Sequence, residues 1–348
     1  MAEDLQRWDY MNLKRTENIP EQGVLRPPSE SRSLLIRVVR GCPWNQCAFC
    51  PAYKNEKFSL RPLEDVISDI DQLALKQDSN RFDSAFLQDG DALVAPVENL
   101  IRIIEQIRLR FPEISRITAY SRSRTLAARK IEELQKLKAV GLGRIHIGLE
   151  TANDKVLELV NKGVDSETQL KGCLNAKEAG LEICCYYMPG LGGKAFSNQH
   201  ADNTAALIRK VSPHHVRLRT CIIIENTGLE KIWREGLMVP ISEEEAVQEI
   251  KRFIEGIKDT HTNLISDHRI NLLLELRGRL PDEYSKLMDT IENFESLSSC
   301  DKKLFIAGRR TGQIKILAEL NHAETRKKLE EIAKKYVPAL PVSVSILF

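Results

Sequence analysis

Residues 37–54 read RVVRGCPWNQCAFCPAYK, an apolar, β-branched run that passes directly into Cys42, Cys47 and Cys50, spaced C-x-x-x-x-C-x-x-C. Free cysteines seldom crowd this densely outside metal or redox sites. Three thiolates can bind three irons of a [4Fe-4S] cube and leave the fourth iron open, whereas clusters that only carry electrons are normally held by four. A structural zinc site also wants four Cys or His ligands, commonly with a second C-x-x-C or H-x-x-x-H pair. The sequence has no second pair, and His214 and His215 are adjacent rather than helically spaced. The other thiols, Cys173, Cys184, Cys185, Cys221 and Cys300, are scattered. Cys184 and Cys185, as strand neighbours, point to opposite faces.

Outward from this loop, short β-rich runs at 34–39, 84–88, 116–119, 144–149, 181–188 and 215–224 alternate with amphipathic stretches such as PLEDVISDIDQLALK and PVENLIRIIEQIRLR. Several of these stretches open on Ser, Asp or Pro and close on Gly, the residues that satisfy helix ends. βα units in succession imply a parallel sheet, because parallel neighbours need crossover connections. An open barrel and a doubly wound sheet both satisfy the spacing. Past Gly236 the alternation gives way to helical patterns: EEEAVQEIKRFIEGIK, DHRINLLLELRGRLPDEYSKLMDTIENF and HAETRKKLEEIAKKYV. The expected organisation is an N-terminal lead-in over 1–32, a core over 33–239 and a mostly helical C-terminal region over 240–348.

Hydrophobic residues at 42% and charged residues at 29% are those of an ordinary globular chain. Lys plus Arg (51) nearly balances Asp plus Glu (49), so the overall field does not indicate nucleic acid or an anionic membrane as partner. MAEDLQRWDY carries early acids and no apolar leader segment. No run approaches the roughly 18 apolar residues of a membrane span. The expectation is a cytoplasmic protein with reduced thiols.

The C-x-aromatic-C ending of the loop, with Phe49 before Cys50, resembles that of the radical S-adenosylmethionine (SAM) superfamily. The likeness is to the branch whose core is shared by elongator-type, methylthiotransferase and coproporphyrinogen-dehydrogenase enzymes, and it covers about residues 33–236. Family loops usually have three residues between the first two cysteines, and here residues 43–46 make four. The resemblance implies an α/β fold, a partial (βα)6 TIM-like barrel. Cys42, Cys47 and Cys50 would carry a [4Fe-4S] cluster, and SAM would chelate its open iron with Phe49 near the adenine. A reductant such as flavodoxin or ferredoxin would then supply one electron, releasing methionine and a 5′-deoxyadenosyl radical that acts on a substrate. A non-catalytic iron–sulfur protein for redox sensing or electron transfer is the alternative, and a zinc-stabilised binding module a third.

By the same resemblance the strand ends supply the SAM contacts. Gln88, Asp89, Gly90 and Asp91 stand where the family supports the methionine end, and an ordinary polar turn is the bland reading. Glu150, after the strand in RIHIGLE, stands at a ribose-hydroxyl acceptor position, or else complements a helix dipole. Arg122 is a carboxylate clamp or a solvated loop residue, with Arg124 close behind it. Tyr186 falls where relatives carry an acid for the ribose, and the turn at Gly190, Leu191, Gly192 and Gly193 passes near the adenine. His146 reads as a core histidine. Arg217 and Arg219, two apart on the last strand, suggest a polar barrel interior that takes substrate anions.

Overall fold

The computed structural model describes residues 20–23, 25–76, 81–337 and 340–343. The run that enters the cysteine loop breaks after β1 (Leu34–Arg37). Val38 donates its N–H to the Gln88 carbonyl at 2.6 Å. Beyond it, β2 (Val39–Arg40) turns off to pair antiparallel with β3 (Ser59–Leu60). The cysteine loop is thus an excursion whose two ends are tied together at the neck.

From β3 the chain alternates. Helix α1 (Leu63–Lys76) leads to β4 (Ser84–Gln88), α2 (Val97–Arg110) to β5 (Arg116–Ser121), and α3 (Ser123–Ala128) with α4 (Ile131–Val140) to β6 (Leu142–Glu150). Then come α5 (Asp154–Leu159), α6 (Ser166–Glu178), β7 (Glu182–Tyr187), α7 (Gly193–Val211), β8 (His215–Leu218) and α8 (Gly228–Arg234). Helix starts are set by short polar side chains: Asn153 accepts from Val156 N, Asp165 from Thr168 N, and Thr227 from Glu230 N. Helix α4 stops at Gly141, whose φ of +117° costs a glycine little.

The sheet runs β1-β4-β5-β6-β7-β8-β9-β10 and is parallel as far as β9. This is the partial barrel with its helices outside. Register decides which side chains face where. Leu34, Ile36, Ala85, Leu87, Ile117, Ala119, Ile145, Ile147, Ile183 and Val216 lie buried on the helix-covered face. The alternate positions, Phe86, Tyr120, His146 and Tyr186, line the inside as successive tilted rings, with Phe86 and Tyr120 edge to face at 5.0 Å.

After Pro240, α9 (Glu243–Ile257) packs on α7, and Phe253 stacks on Tyr187 at 4.1 Å. The chain then adds β9 (Asn263–Ile265), parallel to β8, and β10 (Arg277–Arg279), antiparallel to β9. The sheet therefore takes two strands from the region expected to be helical. In particular, the helix expected from Asp267 onward begins only at α10 (Tyr284–Glu295), followed by α11 (Ser299–Arg310) and α12 (Ala323–Lys335).

The reason is side-chain capture of the backbone. Buried Asn271 accepts from Thr220 N at 2.9 Å and donates to the Leu218 carbonyl at 2.9 Å. Arg309 of α11 donates to the carbonyls of Arg269, Asn271 and Leu272. Ile270, Leu272, Leu273 and Leu276 are buried as the apolar pattern requires, but on an irregular loop.

Candidate iron–sulfur and cofactor site

Because β1 and β4 to β9 run parallel, the loops after them emerge at one end, and the chemistry-bearing residues gather there. Cys42, Cys47 and Cys50 stand on the single excursion between β2 and β3, each half-buried. Burial pushes the Cys47 thiol up to about 11, against the pull of the Lys162 ammonium. Burial also raises Cys50, opposed by the Ala52 N–H, Arg219 and Lys162. Cys42 and Cys50 both bear on Cys47 electrostatically, so the three thiols share one neighbourhood. Desolvated thiols of this kind ionise when a metal supplies the countercharge.

Among the described residues no three His, Cys, Asp or Glu side chains form a group placed to hold a metal ion. The ligands of a cube each bind a different iron and stand farther apart than ligands of one ion, so a loop with its neck fixed and its thiols adjacent fits that donor set.

Lys162 is the residue that sequence reasoning missed. It is buried, ion-paired to Glu150, and its Nζ stands 5.6 Å from the centroid of the Phe49 ring. Its place comes from the end of α5. Asn161 (φ +49°) and Gly163 (φ +69°) both adopt left-handed backbone there, and a Cβ at Gly163 would overlap the Trp44 indole of the cysteine loop. The signal was present in LELVNKG, an Asn and a Gly flanking one cation. Trp44 in turn donates to the Asn161 carbonyl at 2.7 Å.

Glu150 has φ +60° and lies back over Gly148. The start of α5 is capped by Asn153, so Glu150 is free of that duty. Arg122 donates to the Lys162 carbonyl at 2.8 Å and stacks over Trp44 at 5.4 Å, while Arg124 donates to the Gly163 carbonyl. Glu150 and Arg122 are therefore brought to the cysteine loop, Glu150 through Lys162 on Phe49 and Arg122 through Trp44.

The Gln88 to Asp91 stretch divides. Gly90 faces the loop: a Cβ there would lie 3.1 Å from Cys42 Cβ. Asp89 is buried, and its Oδ2 accepts from Arg37 Nε (2.9 Å), Arg37 Nη2 (2.6 Å) and Gly41 N (2.9 Å). Its Oδ1 is buried without a hydrogen-bond partner among the described residues. Burial pushes its carboxyl up, and the Arg37 guanidinium works against that.

Gln88 is occupied elsewhere, accepting from Gly23 N and donating to the Gly23 and Leu25 carbonyls. Asp91 turns into the protein, where it accepts from Ser121 and Thr125, and burial lifts it to about 6. Tyr186 stands in the ring layer inside the sheet, its hydroxyl buried and unpartnered among the described residues.

The turn after β7 is held from the C-terminal region. Glu249 of α9 accepts from Gly190 N (2.7 Å), Tyr187 Oη (3.1 Å) and Ser197 Oγ (2.5 Å). The scattered thiols lie elsewhere, with Cys185 against Cys173 in the core, Cys184 beside Arg217 and Cys300 exposed.

Residues 36–205 match the model of the Radical SAM superfamily. The cofactors of that superfamily are a [4Fe-4S] cluster and SAM. Among particular proteins, the tRNA uridine(34) acetyltransferase of Methanocaldococcus jannaschii is 27% identical over 123 residues, 34% of this chain and 22% of that protein. The biotin synthase of Clostridium perfringens is 31% identical over 122 residues, 35% of each chain. The chain thus spans about a fifth to a third of the length of these relatives. Coproporphyrinogen III oxidase of Escherichia coli superposes with a TM-score of 0.49 at 13% identity, covering 90% of this chain and 80% of that one.

Proposed function

We propose that this chain is a radical SAM enzyme in which Cys42, Cys47 and Cys50 each bind one iron of a [4Fe-4S] cluster and SAM takes the fourth. The observation that carries this reading is the placement of three thiols on one neck-tied loop beside Phe49, Lys162 and Glu150. When bound, the cluster supplies the electron that splits the sulfonium to methionine and a 5′-deoxyadenosyl radical.

The chain's own residues bind and orient. Phe49 offers the adenine a ring face, and Glu150, fixed by Lys162, accepts from the ribose. Gly90 lets the methionine ammonium approach the backbone beside Cys42, which Asp89 holds in place through Gly41 N and Arg37, and Arg122 takes the carboxylate. Gln88 and Asp91 act at one remove, Gln88 by holding residues 23–25 and Asp91 by holding the turn that carries Arg122. Tyr186 forms wall rather than ribose contact. Residues 33–239 are the catalytic core and 240–348 brace it through Glu249. The reductant is a flavodoxin or ferredoxin, in the cytoplasm.

Anaerobically reconstituted protein reduced with dithionite is expected to release 5′-deoxyadenosine and methionine, measured by mass spectrometry with labelled SAM. Release of methylthioadenosine or S-adenosylhomocysteine instead would refute this use of SAM. Binding of SAM without cleavage would favour the non-catalytic iron–sulfur protein.

A further inference from the structure

A cleft of about 510 Å³ opens over the last three strands of the sheet. Small-molecule sites occupy roughly 300–1,000 Å³, so the size suits a ligand. Strand register builds it. His215 of β8 stands beside Asn263 of β9 and Arg279 of β10, and Arg217 stands beside Ile265 and Arg277. The two rows share one face, because side chains alternate along a strand, and all six residues line the cleft. This is the inner face of the sheet: Arg217 is in register with Tyr186 of the ring layer, whereas Val216 between the rows is buried in the core. Neither the three loop cysteines nor Phe49, Arg122, Glu150 or Lys162 line it.

The charges in the cleft do not balance. Arg217, Arg277, Arg279 and Lys286 line it with two carboxylates, Asp267 and Glu283. Asp267 is taken by Arg217, and Glu283 by Lys286 at 2.6 Å. Among the described residues Arg277 pairs with no carboxylate. Arg279 has Asp282 at 3.7 Å, a contact between two well-exposed side chains that is worth little in water. The surplus of positive charge therefore sits on β10. Arg217 supplies a second, independent observation. Its side chain is only 7% exposed, and its Nε is buried without a hydrogen-bond partner among the described residues. An arginine Nε–H can only donate, so the group missing there is an acceptor. Nδ1 of His215 is likewise buried and unpartnered.

We propose that this cleft is a binding site for a phosphate monoester, separate from the cluster and SAM. Guanidinium forks match phosphate oxygens, a dianion offsets the two uncompensated arginines, and an oxygen acceptor completes Arg217. Ile265, between Arg217 and Arg277, offers the carbon side of the ester an apolar contact. Free phosphate shares the anion's chemistry but has no such part. The proposal rests on the cleft and not on the radical SAM reading.

The test uses the full cluster-loaded chain, titrated calorimetrically with glycerol 3-phosphate, inorganic phosphate and, as neutral control, glycerol. Wild type is expected to bind glycerol 3-phosphate at least as tightly as inorganic phosphate, with glycerol inert. The Arg277→Gln, Arg279→Gln double variant, altered only at exposed positions, should bind the ester about ten-fold or more weakly. Arg277→Lys with Arg279→Lys should fall between. A charge-matched control, Lys138→Gln with Lys171→Gln, removes two exposed cations from α4 and α6 and should bind as wild type does. No ester binding by wild type, binding of inorganic phosphate alone, undiminished binding by the arginine-to-glutamine variant, or an equal loss in the control overturns the proposal. A ten-fold loss of SAM affinity in the arginine-to-glutamine variant at full iron content also overturns it, by joining the cleft to the SAM site. Iron, sulfide and 5′-deoxyadenosine measured on the same preparations report separately on the radical SAM reading, so either conclusion can fail while the other stands.

Discussion

Lys162 Nζ stands 5.6 Å from the centre of the Phe49 ring while it is ion-paired to Glu150. One side chain thus links the end of α5, the end of β6 and the cysteine loop. Removing one member of a buried pair strands the other charge, which costs more than the pair itself is worth. Lys162→Met is expected to lower stability by roughly 3 kcal/mol in anaerobic urea unfolding, with much of the loss restored in the Lys162→Met, Glu150→Gln double variant. Additive losses would show that the two side chains do not act as a pair.

The cluster assignment is tested by replacing its ligands together. Cys42, Cys47 and Cys50 all changed to Ala should abolish the visible charge-transfer absorption of reconstituted protein and its bound iron. Cys173→Ala, in the core behind β7, should leave both unchanged. A full cluster in the triple variant would refute the assignment.

Glu150→Ala should weaken SAM binding about ten-fold or more while the iron content stays whole, because its proposed contact is to ribose and not iron. Titration with SAM at equal iron loading checks this. Unchanged affinity would leave Glu150 only its ion pair with Lys162.

His200 gives a pH signature. It is fully buried between Thr151 Oγ1 (2.7 Å) and the Met188 carbonyl (3.1 Å), and burial pulls its ring down to about 4. The folded value is depressed, so below an unfolded value of roughly 6.5 the unfolded chain takes up a proton that the native ring refuses. Stability from this group is therefore lost as pH falls from 6.5 toward 4. Asp91, lifted to about 6, works in the opposite direction over much of the same range. The quantity to measure is therefore the wild type minus His200→Gln difference in unfolding free energy, which should shrink between pH 7 and pH 5. A constant difference would refute the assignment of a neutral native ring.

The sequence made the parallel strands legible because strands covered on both faces are continuous apolar runs, and the cysteine loop because its spacing has few other uses. What it hid follows from interactions distant in the chain. Residues 267–280 carry a helical apolar pattern, yet Asn271 and Arg309 draw their backbone into a loop from 218–220 and α11. Lys162 gives no signal of its own in the sequence, because only the left-handed turn at Asn161 and Gly163 brings it against Glu150 and Phe49. Gln88 and Asp91 were sound as strand-end polar residues, but nothing local shows that Gly23 claims the first or that Ser121 and Thr125 claim the second.

The antiparallel pairing of Val39 with Leu60 and Arg40 with Ser59 bears on the life cycle of the protein. In small zinc domains the metal closes the loop, so unloading unfolds them. Here main-chain hydrogen bonds close the loop, and the entropy of bringing its ends together is spent during folding. Iron loss through oxidation should consequently leave a folded shell that assembly machinery can refill, making damage at this centre a matter of repair rather than of replacement.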